Sequence, residues 1–254
     1  DVERALTSRL TLSTRLEWFP VWSRDGEHVY YHLSSGDDEG GLYRRRADGT
    51  GEPEHLAADR TWFPWDEHPD GRVLAGLPQQ AVAGRGGIFL LDTTTGEAEL
   101  VLDNGSVAMQ ARLSPDGRWM VYMADESGNT EVYVHGMEGQ GRWQISDGGG
   151  AQPLFSADGR EIYYRSGTQV MAVEISPAGD ALRPGRPRRL HDSVEGFTIG
   201  IAMAGTVQYD YTTLDGETFI EAVDALTQVA GPEQRGVIVF NWLERLRELA
   251  AQQN

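Results

Sequence analysis

The chain has 254 residues, a formal net charge of −17 at pH 7, and no cysteine; all 22 of its basic residues are arginine. The acidic balance argues against general nucleic-acid binding, which needs a basic stripe to meet the phosphates. Missing cysteine removes disulfides and thiolate sites, missing lysine removes Walker-type and Schiff-base chemistry, and no apolar run approaches the roughly 18 residues of a spanning helix.

In chain order, the first strand-like piece is "TSRLT" (7–11), which has the form of a unit's last strand without the strands that should precede it. The unit that follows is complete: "WFPVWS" (18–23), the turn "SRDG" (23–26), "EHVYYHLS", "GLYRRRA" and "PEHLA". The second runs "WFPW" (62–65), "HPDG" (68–71), "RVLAGLP", "GGIFLLD" and "AELVLD". The third runs "MQARLS", "SPDG" (114–117), "RWMVYMA", "EVYVHGM" and "RWQIS". The fourth runs "AQPLFS", "SADG" (156–159), "REIYYRSG", "QVMAVEI" and "PRRLH". A fifth has "VQYDYT", "TLDG" (213–216), "ETFIEAV" and "GVIVFNW" with no fourth strand.

The turn aspartates Asp25, Asp70, Asp116, Asp158 and Asp215 are separated by 45, 46, 42 and 57 positions. Asp-Gly between apolar runs is a hairpin signal, and a type I′ turn with φ > 0 at both central residues is the expected geometry. Four antiparallel strands in 40–50 residues is the size of a propeller blade, and strands apolar on both faces, such as "VYMA" and "IYY", suit blades packed between neighbours. The expected fold is therefore all-β: a β-propeller of about five four-stranded blades, or part of a ring of six or more. Residues 1–254 read as one domain, with 1–21 holding an outer strand of the closing or an upstream blade plus the first inner strand, and blades over 22–240. Residues 7–11 either close the ring as the fifth unit's outer strand or are left from an upstream unit. Asn241 with Glu244 forms a capping box that predicts a C-terminal helix over 241–252, with Leu243, Leu246 and Leu249 along one face.

The repeat resembles the TolB-type, WD-like propellers that carry the "SPDG" turn, over almost the whole chain. "VIVFNWLERLREL" is similar to the end of propeller regions behind bacterial eukaryote-like serine/threonine kinases, and "DVERALTSRLT" resembles a stretch inside those propellers. The resemblance implies upstream blades in the full-length protein, a protein- or peptide-binding sensor or scaffold role without catalysis, and an extracytoplasmic location. "HPDG" and "TLDG" depart from the common turn. A five-bladed glycan hydrolase, or the gating propeller of a peptidase, is the rival expectation.

Candidate sites divide as follows. The turn aspartates are explained by turn conformation alone, and "SGDDEGG" (35–41) lacks the alternating oxygens of a calcium loop. His28 and His32 share a strand face around Tyr30 but lack a third ligand, so they read as blade-packing residues; no metal and no cofactor are expected. Hydrolase chemistry would need opposed carboxylates, and Glu17, Asp66 and Asp210 on or next to inner strands are not in equivalent positions. Trp18, Phe19, Trp22, Trp62, Phe63 and Trp65 cluster in the first two inner strands. Such residues also fill inter-blade cores, and burial decides between the two uses. The expected channel-rim binding set is Trp18, Trp22, Trp62, Trp65, Asp66 and Arg112, for a protein or peptide ligand.

Overall fold

The computed structural model describes residues 10–34, 40–57, 62–76, 87–103, 105, 107–139, 141–178 and 181–192, with the short strands 211–213 and 219–221. Residues 1–9, Asp210, Asp215 and the expected helix over 241–252 lie outside the described residues. Among the described residues there is no helix; the secondary structure is all β.

Blade 1 is β1 (Glu17–Trp22), β2 (His28–Leu33), β3 (Gly41–Arg46) and β4 (Glu54–Ala57), hydrogen-bonded in that order. Blade 2 is β5 (Phe63–Glu67), β6 (Val73–Gly76), β7 (Ile88–Leu91) and β8 (Ala98–Leu102). Blade 3 is β9 (Ala108–Leu113), β10 (Trp119–Ala124), β11 (Glu131–Gly136) and β12 (Arg142–Gln144). Blade 4 is β13 (Ala151–Phe155), β14 (Glu161–Ser166) and the long β15 (Gln169–Ala178), which pairs with both β16 (Ala181–Pro184) and β17 (Arg188–Asp192). β18 (Tyr211–Thr213) and β19 (Phe219–Glu221) form a further antiparallel pair. All pairings are antiparallel, and the first strands β1, β5, β9 and β13 contact one another in succession. This is a β-propeller, with the first strand of each blade innermost.

The aromatic and β-branched middle strands exist to be buried twice. Val21, Tyr30, Leu42, Trp62, Val73 and Leu91 form one core between blades 1 and 2. Trp65, Leu74, Leu90, Leu113, Met120 and Tyr122 belong to a second, between blades 2 and 3. Trp119, Val121, Val134, Ile162, Tyr164 and Val173 belong to a third, between blades 3 and 4. At about 1.5–3 kcal/mol for each fully buried large apolar side chain, these seams hold the blades in place. Gly76 is part of that packing, because a Cβ there would stand 1.9 Å from the Trp65 ring.

The turns hold a finding that corrects the expected type I′ geometry. Gly26, Gly71, Gly117 and Gly159 have φ between +70° and +89°, and among the described residues positive φ outside glycine is confined to Phe19, Gln110 and Gln152. The aspartates therefore sit in ordinary backbone, and each glycine N–H closes back on the carbonyl three residues earlier, at 2.9 Å. The loop is a type I turn followed by a left-handed glycine; the closing backbone pair encloses four residues at Ser23/His28, Ser114/Trp119 and Ser156/Glu161, and three at His68/Arg72. Each serine hydroxyl donates to its own turn carboxylate, Ser23 to Asp25 at 2.5 Å, Ser114 to Asp116 at 2.6 Å and Ser156 to Asp158 at 2.7 Å. In "HPDG" the imidazole takes over, with His68 Nδ1 standing 2.8 Å from Asp70 Oδ1.

These turns also stack on one another. A Cβ on Gly117 would meet Pro69 of the preceding blade at 2.6 Å, and one on Gly159 would meet Pro115 at 3.3 Å. Blade 1 has Arg24 where those prolines stand, and nothing lies within 4 Å of a Cβ at Gly71. Arg24 makes polar ties instead: its N–H donates to Glu67 Oε2 at 2.6 Å, its Nε to the Glu67 carbonyl at 2.7 Å, and its Nη1 to the Pro115 carbonyl at 3.0 Å.

Candidate functional site

The innermost strands do not alternate regularly. Every pairing of an inner strand with its neighbour shifts register, at Trp18/Val21, Pro64/Asp66, Val121/Met123 and Ala151/Leu154. Counting four residues back from the turn's first residue gives Phe19, Pro64, Gln110 and Gln152, and the three that are not proline have φ of 54–56°. A bulky residue in the left-handed region is an outlier that its surroundings must hold. In blades 3 and 4 the holding is polar: the backbone N–H of buried Gln152 donates to Oε1 of buried Gln110 at 2.9 Å. Between blades 1 and 2 it is aromatic, with the Phe19 ring 4.6 Å from Phe63.

That aromatic contact is the centre of the candidate site. Phe63 also meets His32 edge-on at 5.1 Å and 80°, Trp18 lies 6.5 Å from Phe19, and Trp18 pairs with His32 across β1–β2. Trp18, Phe19 and Phe63 are all partly exposed, whereas His32 is 5% exposed beneath them. Trp22, at the far end of β1, is 43% exposed. Trp18, Phe19 and Phe63 make an aromatic wall on the innermost strands of blades 1 and 2, with His32 of β2 behind it.

The rim residues expected from sequence fall in different places. Trp18 and Trp22 keep accessible surface on β1; Trp62, at 0%, and Trp65, at 6%, are inside the two cores that flank blade 2. Asp66 is half-buried and accepts the Leu113 N–H at 2.8 Å and the Glu67 N–H at 2.8 Å, so its carboxylate ties blade 2 to blade 3. Arg112 is half-buried on β9, paired in register with Val121. Phe19, Phe63 and His32 were not in that set. A signal for Phe19 was available in the repeat, since it occupies the same place as Gln110 and Gln152.

Glu17, a further inner-strand acid, is bound through one oxygen by the Thr11 hydroxyl. Asp25, Glu27 and His28 bring three donor atoms within 4.8 Å, but Asp25 and Glu27 are exposed and Asp25 already accepts from Ser23 and from the Glu27 N–H. Turn chemistry accounts for that group. On blade 4 the β15–β16 hairpin and the "SADG" turn border a cleft of about 780 Å³, lined by Asp158, Arg160, Glu161, Glu174, Arg183 and Arg188 among others. Its charges cancel locally: Arg188 pairs with Glu161 at 2.5 Å, and Arg160 stands 3.9 Å from Asp158.

Electrostatics at the wall follow burial. Burial, then the hydrogen bond it donates to Glu67 Oε1 at 2.6 Å, pushes the Tyr30 hydroxyl up well beyond its usual range. Burial and the charge of Glu17 push Tyr31 up to about 12. Burial holds the His32 imidazole below its usual value, and the charge of Arg15 adds to the effect.

No family model matches the chain. It is 28% identical over 152 residues to an uncharacterized protein of Agrobacterium fabrum, a match covering 58% of this chain and 50% of that protein. The chain thus spans about half the length of this curated relative. Among solved structures it is similar to TolB from Acinetobacter baumannii, with a TM-score of 0.57, 18% identity, and coverage of 72% of this chain and 45% of that one. A putative TolB from Agrobacterium tumefaciens gives 0.51, 15%, 72% and 83% on the same measures. A gluconolactonase from Xanthomonas campestris gives 0.50, 15%, 71% and 64%. At such identities the likeness concerns fold, and one architecture hosts binding proteins and hydrolases alike. The chain is an all-β propeller whose structural neighbours are TolB-like propeller proteins.

Proposed function

We propose that this chain is a non-catalytic, TolB-like propeller domain that binds a protein or peptide at the aromatic wall. In this reading it serves as the extracytoplasmic sensor or scaffold portion of a larger bacterial protein, kinase-associated as its C-terminal sequence resembles. The observation that carries the reading is the wall itself: Trp18, Phe19 and Phe63 keep accessible ring surface on the innermost strands, fixed by the blade seam behind them. Rigid aromatics with one face free are suited to anchoring a peptide side chain. Of the carboxylates a hydrolase would need, Asp66 is engaged by two backbone N–H groups and Glu17 by Thr11 through one oxygen, its Oε1 being buried without a partner.

The test is selection of a random twelve-residue peptide display library on the purified chain, then titration of selected peptides into wild type, Phe63→Ala and Trp18→Ala. The expected result is affinity at least about tenfold weaker in both variants, the effect of a central aromatic anchor. Selected peptides that bind both variants as well as wild type would move the site elsewhere. Lactone or oligosaccharide turnover that disappears in Glu17→Gln would replace the reading with the hydrolase one.

A further inference from the structure

We propose that His32 is a proton-operated latch: a proton taken up on Nδ1 loosens the seam between blades 1 and 2 and disperses the aromatic wall. The imidazole is 5% exposed, hydrogen-bonds to the backbone of Trp62 and Gly41, and has a buried Nδ1 with no partner. With the ring's other nitrogen serving the backbone, Nδ1 is the bare, unprotonated atom of the neutral ring. Protonation there creates a buried cation and a buried N–H donor without an acceptor, and both are costly. Relief requires the ring to reach water, and its way out is through the wall, because Phe63 lies against its edge and Trp18 is its cross-strand neighbour.

The backbone contacts to Trp62 and Gly41 favour the protonated ring but are outweighed by burial, and the surrounding charges give a proton no further shelter. Arg15 stands before β1, its guanidinium donating to the Ser34 carbonyl, and its positive charge acts against protonation. Glu17 on β1 acts on Tyr31, which alternates with His32 on β2 and so points to the other face. Tyr30, on the same face of β2, and Arg24 are both bound to Glu67 of β5. Arg44 on β3 is paired with Glu54 at 2.5 Å, His55 on β4 stacks on Tyr43, and Asp66 on β5 is held by Leu113 and Glu67. The linkage follows from the lowered affinity for protons. The neutral ring's contribution is fully present above about pH 6.5, the unperturbed histidine value, and is lost as pH falls below it.

The latch goes beyond peptide binding, and it is measurable without any ligand. The experiment uses the whole unliganded chain, labelled with ¹³C and ¹⁵N in its 6 histidines. Imidazole signals are followed from pH 8 to 4, beside hydrogen exchange of peptides covering 17–22 and 62–67, corrected for intrinsic pH dependence. The expected result is that His32 titrates below the ordinary range with Nδ1 bare. Opening of those two strands should rise about threefold or more from pH 7.5 to 5.0 in wild type and stay flat in His32→Phe. Titration of His32 at or above about 6.5 overturns the proposal. So does seam exchange that changes equally in wild type and variant. Should His32→Phe not fold, the wild-type titration still decides. A failed latch leaves the peptide-selection result standing, and a failed selection leaves the latch standing.

Discussion

Replacing Gly117 with alanine separates two roles that glycine plays in the blade turn. Gly26 and Gly117 have the same φ, +73°, so alanine at either is held in left-handed backbone at a cost of about 1–2 kcal/mol. At Gly26 nothing lies within 4 Å of the added Cβ, and that cost stands alone. At Gly117 the Cβ would stand 2.6 Å from Pro69 Cδ and 2.8 Å from His68 Nε2. A proline ring cannot rotate away, so relief requires backbone of blade 2 or blade 3 to shift, which adds about 1–3 kcal/mol of overpacking. Gly117→Ala should therefore cost about 2–5 kcal/mol and Gly26→Ala about 1–2 kcal/mol. Urea unfolding followed by far-UV circular dichroism measures both, provided the transition slopes match wild type. Pro69→Ala in the Gly117→Ala background should recover most of the difference, since the two residues touch. Equal losses in the two single variants, or no recovery in the double, would refute turn-on-turn stacking as the source of the effect.

Glu131 makes a second junction testable. Its buried carboxylate accepts from Ser146 Oγ and from the N–H groups of Gly148 at 3.1 Å and Gly149 at 2.9 Å, shaping the passage from blade 3 to blade 4. Glu131→Ala should cost about 2–4 kcal/mol by leaving those donors without an acceptor, and Glu131→Gln clearly less, by the same urea measurement. Hydrogen bonds from Ser23 and Ser156 hold the Asp25 and Asp158 carboxyls below their usual range. Their contribution is present above about pH 4 and lost as pH falls below it. Hydrogen exchange at the turns should rise there in wild type and be less pH-dependent in Ser23→Ala.

The repeat was legible because it is local. Ser-x-Asp-Gly closes on itself through a hydroxyl, a carboxylate and one left-handed glycine, and the strands beside it carry their own β-forming residues. Blade order followed, with a first strand for each turn. The turn type did not, because Asp-Gly suits both I′ and the type I plus glycine loop, and the backbone φ of aspartate distinguishes them. Nor could alternation sort "WFPW". The register shift between Pro64 and Asp66 sends Trp62 into the core with blade 1, Trp65 into the core with blade 2's other neighbour, and Phe63 onto the wall. Asp66 looked like a channel acid, yet its partner is an N–H 47 residues further on. Sequence by itself determined the strands, the turns and their repetition, because those depend on neighbours along the chain. Which aromatic is core, which is surface, and that His32 is left with a bare buried nitrogen were decided only when two blades met, because burial belongs to the seam.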